Sequence, residues 1–301
     1  MRSQSTTKPV VGILWMLLAG MCFISVTALV KYMGAGLPPA QMAFLRYLIG
    51  LVFLLPAIGA LRAARLTTRQ WKFFGFRGFA HGLAVISWFY AMTQIPIADV
   101  TAMNYLAPIY VSIGAALFLG ERLAFRRIAA IVIALLGAFI ILRPGFREVS
   151  TGHLAMLFAA VAFGGSYLTA KIMADEVKPS VVVAMLSIFV TIVLAPFAIA
   201  HWVSPSWTDL GLLFVVACFA TLGHYTMTLG FAAAPVTVTQ PVTFTQLVWA
   251  VLLGYFVFDE AVDVWVLIGG ILILAAVTFI TWREAVLKRQ HRTATPNQTK
   301  V

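Results

Sequence analysis

The chain has 301 residues, of which 62% are hydrophobic and 10% charged, and its net charge is +11. An average soluble domain is about 25% charged, so too few ionic groups are present to solvate a globule of this size, and a soluble fold is excluded. The positive charge does not indicate nucleic acid, because the basic residues fall in short loops between apolar runs, as in polytopic membrane proteins.

A membrane-spanning helix needs about 20 apolar residues. Runs of that kind predict ten spans, at 10–32, 38–60, 72–94, 98–119, 125–142, 151–173, 179–201, 208–231, 236–257 and 262–282. The first is too long for the apolar region of a signal peptide and lacks a cleavage site, so no removable leader is expected. Pro38, Pro39, Pro179, Pro205 and Pro235 stand at or just before predicted starts, where proline suits a helix N-terminus. Cys22 and Cys218 lie inside apolar runs without metal-ligand spacing, so both read as packing residues, and no metal or other cofactor is expected. The polar tail 288–301, "KRQHRTATPNQTKV", reads as disordered.

Lys and Arg counts give the orientation. With the N-terminus placed in the cytoplasm, 16 of the 21 basic residues fall on that side, and only Lys31, Arg143 and Arg147 on the other. Both termini are therefore expected to face the cytoplasm, with the chain multi-pass in a cell inner membrane. The stretch "FLGERLAFRRIAA" (118–130) then becomes the cytoplasmic turn between spans 4 and 5, with Glu121 as a helix-end residue. Its echo "VFDEAVDVWVLIGG" (257–270) becomes the matching outer turn, which carries acids and no base.

The halves repeat. At an offset of 140, Gly12 matches Gly152, Lys31 matches Lys171, Pro39 matches Pro179 and Pro56 matches Pro196; at 139, Glu121 matches Glu260. The organisation is read as a first five-span unit over 1–146, a second over 147–287 and the tail over 288–301. An odd number of spans per unit forces the second to enter the membrane upside down. That is the inverted-repeat plan of secondary transporters, which hold substrate between the halves near the midplane. The fold class expected is all-α integral membrane, with ten transmembrane helices.

Ten spans in two halves, the Arg of "FLRYLIG" (44–50) and the "LGERL" after span 4 resemble the EamA-type transporters of the drug/metabolite transporter superfamily, over 10–283. The aromatic middle of span 3, "HGLAVISWFYAM" (81–92), is similar to YddG-type amino-acid exporters. The second half departs from the family pattern in having "FDEAV" where Gly-Glu is usual, which weakens any specific role for Glu260. The resemblance implies export of small metabolites, commonly amino acids.

Polar groups inside hydrocarbon are costly, so they mark the candidate pathway. Span 3 carries His81, Trp88 and Tyr90, and span 8 carries His224 and Tyr225. One imidazole on each of two repeat-related helices can line a shared cavity, or each can satisfy a neighbouring carbonyl. Span 4 carries Asn104, Tyr105 and Pro108; span 9 carries Pro241, Thr243, Gln246 and Trp249. Tyr167 and Ser166 follow the small residues of span 6. Pro108 and Pro241 each remove a helical hydrogen bond and are candidate hinges. Arg46 lies roughly 12 Å from the outer end of span 2 and reads either as a clamp for a substrate carboxylate or as a structural partner of loop carbonyls or Asp99. Arg77 reads as snorkelling at the inner face.

No Asp or Glu falls near the middle of any span, which disfavours a dedicated cation/proton antiporter and favours a neutral or zwitterionic substrate. Proton coupling through His81 or His224 and uncoupled facilitation both stay open. A carrier of phosphorylated metabolites would need paired basic residues in the cavity, and on this reading only Arg46 qualifies. Intramembrane-enzyme signatures are absent: there is no zinc-type His-Glu-x-x-His and no nucleophile elbow. The expectation is a non-enzymatic, monomeric secondary transporter. Its partners are the lipid bilayer and a small molecule such as an aromatic or hydrophobic amino acid, and it exports that cargo by alternating access.

Overall fold

Residues 9–34, 36–120, 124–174, 176–234, 236–239 and 241–293 are described by the computed structural model. Glu121, Arg122, Pro235, Gln240 and the tail from 294 lie outside them. Among the described residues there is no strand, only an isolated bridge between Pro144 and Arg147.

Proline and short capping side chains set the helix starts. The first repeat contains α1 (Pro9–Met33), α2 (Pro39–Gly50) with a 3₁₀ segment (Leu51–Ala57), α3 (Ile58–Ala63), α4 (Thr68–Gln94), α5 (Ile97–Asn104), α6 (Ala107–Leu119) and α7 (Phe125–Leu142). The second contains α8 (Thr151–Ala174), α9 (Pro179–Ala200), α10 (Trp207–Ala233), α11 (Val236–Thr239), a 3₁₀ turn (Pro241–Phe244), α12 (Thr245–Phe258) and α13 (Val264–Thr293). α2 and α9 each open on the predicted proline, whose missing N–H costs nothing in a first turn.

The 27-residue helices α4 and α10 open on matching capping boxes. The Thr67 hydroxyl accepts from Gln70 N–H, and the Gln70 side chain accepts from Thr67 N–H at 3.0 Å; Ser206 and Asp209 repeat the exchange. Each cap contributes about 1 kcal/mol. Because the caps fall 139 residues apart, they also fix the register between these two helices.

Eight helical segments are long and apolar enough to cross a membrane. Two predicted spans differ in instructive ways. α4 has the length, but it carries Arg69, Lys72, Arg77 and His81 and is too polar to qualify. The ninth span passes through a 3₁₀ turn at Pro241–Phe244, which leaves the 14-residue α12 as its apolar part. Span 2 is likewise not one helix. It tightens to 3₁₀ at Leu51, ahead of Pro56, and resumes as α3, whereas Pro196 at the equivalent place leaves α9 unbroken. α13 continues to Thr293, and the rest of the tail that the sequence reads as disordered lies outside the described residues.

Packing shows the repeat relation. α1 packs chiefly on α10 and α4 chiefly on α8; because α1 corresponds to α8 and α4 to α10, the two contacts exchange between the halves. α7 packs on α13 and α2 on α9, each helix with its own counterpart. The matched glycines of the sequence sit at equivalent crossings. A Cβ at Gly12 would strike Ala234, which ends α10, and one at Gly152 would lie 2.7 Å from Gln94 and 2.8 Å from Ile95, which ends α4. Outward positions such as Phe118, Phe125, Trp207 and Phe256 stay exposed to the lipid, as a bilayer solvent requires.

The two ends of the bundle differ in how charge is held. At the end formed by the start of α5 and α8, Asp99 is 1% exposed and pairs with Arg147 at 2.7 Å and with His153 Nε2 at 3.0 Å. Arg143 pairs with Asp263. Lys31 pairs with Glu260 at 2.5 Å, and Glu260 also accepts the Ile97 N–H at 2.9 Å, at the first turn of α5. These contacts tie the first repeat to the second. Asp99 is thus not the partner of Arg46, and Glu260, given little weight from sequence, has a definite structural task. At the other end Arg69 meets Glu176 at 2.6 Å on an exposed surface. Hydrogen bonds from Arg69 and then Gln70 hold the Glu176 carboxyl below its usual pKa, and such exposed pairs contribute little to stability.

Candidate functional site

Near the middle of the bundle, α4 presents Arg77, His81 and Trp88 along one face, at spacings of four and seven residues that stack on a helix. α2 brings Tyr47 to this face and α8 brings Phe163, Ser166 and Tyr167. His81 is buried, with Nε2 3.0 Å from the Tyr47 hydroxyl and Nδ1 3.1 Å from the Ser166 hydroxyl. A neutral imidazole donates from one nitrogen and accepts at the other, so two hydroxyls satisfy it. Phe163 approaches the His81 ring edge-on, with centroids 5.0 Å apart, stacks on Tyr167 at an interplanar angle of 9° and meets Trp88 at 6.1 Å.

A similar pair joins α1 to α10, although His224 stands about one turn past the position equivalent to His81. Phe23, 140 residues before Phe163, meets His224 edge-on at 5.1 Å. The two imidazoles differ in one respect: among the described residues the His224 ring has no hydrogen-bond partner, and it is exposed. His224 lies within electrostatic reach of Arg46 and Arg77, as does His81, and its helix α10 packs on α1 and on α2, which carries Arg46.

Tyr167 shows where this cluster is accessible. On α8 the residues Thr151, Leu154, Phe158 and Val161 form the lipid-facing stripe. Tyr167 follows Phe158 by nine residues, two and a half turns, and so points the opposite way, into the bundle. It is nevertheless 40% exposed, so open space lies inside. Lys171, one turn further toward the Arg69 end, is exposed on the same side.

Two cations border this space. Arg46 is 8% exposed, and its guanidinium lies 4.3 Å from the centre of the Tyr47 ring. Arg77 is 6% exposed; Nη1 donates to the Val182 carbonyl at 2.9 Å, and Nε is buried without an acceptor. Arg77 therefore does not snorkel. α4 begins at Thr68 rather than near 72, which carries Arg77 deeper than the sequence reading put it.

A second polar centre lies where two helices are interrupted. The chain leaves the helix after Asn104 and restarts at Ala107, with Pro108 in the new first turn. Pro108 cannot donate to the carbonyl of Asn104, and its ring crowds that carbonyl; the result is a break three residues upstream rather than a kink at the proline. Pro241 likewise opens a 3₁₀ turn. The Tyr105 hydroxyl joins the two breaks by donating to the Thr243 carbonyl at 2.8 Å. Asn104 Oδ1 is buried without a partner, and the Gln246 side chain packs over Gly20 of α1.

The remaining candidates lie elsewhere. Tyr90 bonds Thr151 at 2.8 Å, at the Asp99 end of the bundle. Tyr225 is 62% exposed on the outward stripe of α10 with Phe214 and Leu222, and Trp249 is 40% exposed on the outward stripe of α12 with Leu252 and Phe256. Sequence reasoning overlooked Tyr47 and the depth of Arg77. The signals available were Tyr47 beside Arg46 in an otherwise apolar span, and Arg77 one turn before His81.

Among the described residues no group of three metal-ligating side chains occurs. A model of the EamA-like transporter family matches the chain twice, over residues 10–143 and 150–282. A riboflavin transporter of Rhizobium johnstonii is 30% identical, covering 96% of each chain. An S-adenosylmethionine uptake transporter of Rickettsia felis is 27% identical over 93% of this chain and 96% of its own length. A pseudopaline exporter of Pseudomonas aeruginosa is 28% identical over 88% of this chain and 94% of its own. A solved crystal structure superposes with a TM-score of 0.58 at 19% identity, covering 92% of this chain and 97% of that one; at that identity it shows the fold alone. The narrower likeness to YddG-type exporters is not confirmed.

Proposed function

We propose that this chain, which belongs to the EamA-like transporter family, carries a small organic metabolite by alternating access around the cluster of His81, Trp88, Tyr167 and His224. The observation that carries the reading is the accessible face of Tyr167, which opens into the bundle between two repeats joined by similar His–Phe pairs. Stacked Phe163 and Tyr167 with edge-on Trp88 make a surface for a planar ring. Riboflavin and S-adenosylmethionine, named for two of the relatives, both contain a planar heteroaromatic ring.

The Arg- and Lys-rich end with Arg69 is the cytoplasmic end, both termini lie in the cytoplasm, and the membrane is a bacterial inner membrane; the count of basic residues supports this. The relatives include uptake carriers and an exporter, so the names favour the broader class of small metabolites over amino-acid export. Counterflow in liposomes carrying the purified full chain tests both. Labelled riboflavin, S-adenosylmethionine and tryptophan outside are each scored against the same compound loaded inside. Trans-accelerated uptake of a ring-bearing compound is expected. Acceleration by tryptophan alone would restore the amino-acid reading, and acceleration by none would remove the proposed cargo class. His81→Ala and Trp88→Ala should lower the flux of whichever compound moves.

A further inference from the structure

We infer that Arg46 and Arg77 form a subsite for an anionic group, a carboxylate or phosphate, on the substrate of the central cluster; the inference rests on reading that cluster as the transport site. A guanidinium stays charged in a protein, and a charge within the membrane needs a partner, a cavity or water. Both residues are more than nine-tenths buried. Neither has an acidic partner among the described residues, where every ion pair lies at one end of the bundle or the other. Arg46 has only the face of Tyr47, and Arg77 has one carbonyl and an Nε without an acceptor.

The two are arranged about common neighbours. Tyr47 lies under Arg46 and bonds His81, and Arg77 stands one turn from His81 on the same helix. The exposed His224 ring lies within electrostatic reach of both. A ligand placed here meets two cations, several hydroxyls and the Phe163–Tyr167 stack. An anionic oxygen group attached to a ring satisfies these features together. A plain zwitterion does so less well, because its ammonium adds to the positive charge. This reverses the sequence-based preference for a neutral or zwitterionic cargo, which rested on the lack of mid-span carboxylates, and it restores the phosphorylated cargo that was discounted because only Arg46 was counted.

The test uses pairs of probes that share a ring and differ in charge: riboflavin against riboflavin 5′-phosphate, and tryptophan against indole-3-acetate. Binding to the purified full chain is measured by flavin fluorescence anisotropy and by equilibrium dialysis, and flux is measured separately in liposomes. The anionic member of at least one pair should bind about tenfold or more tightly than its partner, as charge-assisted hydrogen bonds allow; the pair that shows it identifies phosphate or carboxylate. Arg46→Gln and Arg77→Gln should each remove most of that preference by weakening the anionic member far more than its partner without net charge, and Arg46→Lys should restore part of it. A purely structural role would weaken both members alike. Equal binding of both members by the wild-type chain, a preference that survives both Gln substitutions, or binding of no probe overturns the inference. Anion binding through the arginines with no flux of any probe would uphold the subsite and sink the transport reading; flux without charge preference would do the reverse.

Discussion

Phe163, which flanks His81, corresponds to Phe23, which flanks His224, yet the positions that correspond to Arg46 and Arg77 hold Leu186 and Val216. Asp99 has no charged counterpart either, since Val238 stands 139 residues later. The two repeats therefore share a frame, visible in the exchanged helix contacts and the paired capping boxes, while the buried charge sits in the first. Within the first repeat the charges divide again. Asp99 is enclosed by Arg147 and His153, whereas the buried cations of the cluster have no acidic partner among the described residues. Duplication accounts for the symmetric frame, and the asymmetry falls at the proposed substrate cluster.

The largest effect is expected at the satisfied charge. Asp99→Asn removes the buried carboxylate that Arg147 and His153 share, leaving Arg147 only Asp263 at 3.7 Å, and should cost about 3–5 kcal/mol, read as a fall in thermal unfolding temperature in detergent. By contrast Glu176→Gln, at the exposed pair, should leave that temperature unchanged. Comparable losses at both sites would erase the distinction between the two ends.

The shared frame can be tested by truncating its two matched rings. Phe163 is 4% exposed and contacts His81, Trp88 and Tyr167, so Phe163→Ala should cost about 3 kcal/mol or more. Phe23 is only half-buried, and Phe23→Ala should cost less than about 2 kcal/mol. An equal cost would mean that the two repeats share their packing as fully as their topology.

Copying a second-repeat residue into the first sharpens the comparison most. Arg46→Leu installs the residue of position 186. Replacing an unpaired buried charge by an aliphatic side chain should leave unfolding stability unchanged or raise it, while flux of the transported compound falls about tenfold, the worth of a single strong charged contact. Loss of stability together with flux would assign Arg46 to the frame. The smallest effect is expected at the contact between the helix breaks: Tyr105→Phe removes one hydrogen bond, worth about 0.6 kcal/mol between membrane helices, and should shift unfolding only slightly.

Much of this architecture was legible in the sequence. Ten apolar runs, the 140-residue offset and the proline starts reflect strong local signals, and the glycine matches proved to be contact points between equivalent helices. The interior was less legible, for identifiable reasons. A four-residue error in the start of α4, corrected by the Thr67–Gln70 cap, turned Arg77 from a snorkelling residue into an interior one. His224 and Tyr225 are neighbours in span 8 but stand about 100° apart around the helix, so Tyr225 joins the outward stripe of Phe214 and Leu222 while His224 lies beside it. Trp249 lies on the outward stripe of α12, which begins only after the 3₁₀ turn at Pro241–Phe244. The break before Pro108 follows from the clash with the carbonyl of Asn104, but its position depends on how Tyr105 reaches Thr243, which no local pattern encodes.

The proposed transport site requires the interior face of Tyr167 to be part of the substrate path. In a background with Cys22 and Cys218 replaced by Ser, Tyr167→Cys is exposed to a membrane-impermeant maleimide from each side of sealed vesicles, with and without the compound that shows counterflow. Labelling from the Arg69 side, slowed severalfold by that compound, is the predicted result. Labelling from neither side, or labelling that the transported compound leaves unchanged, would contradict it.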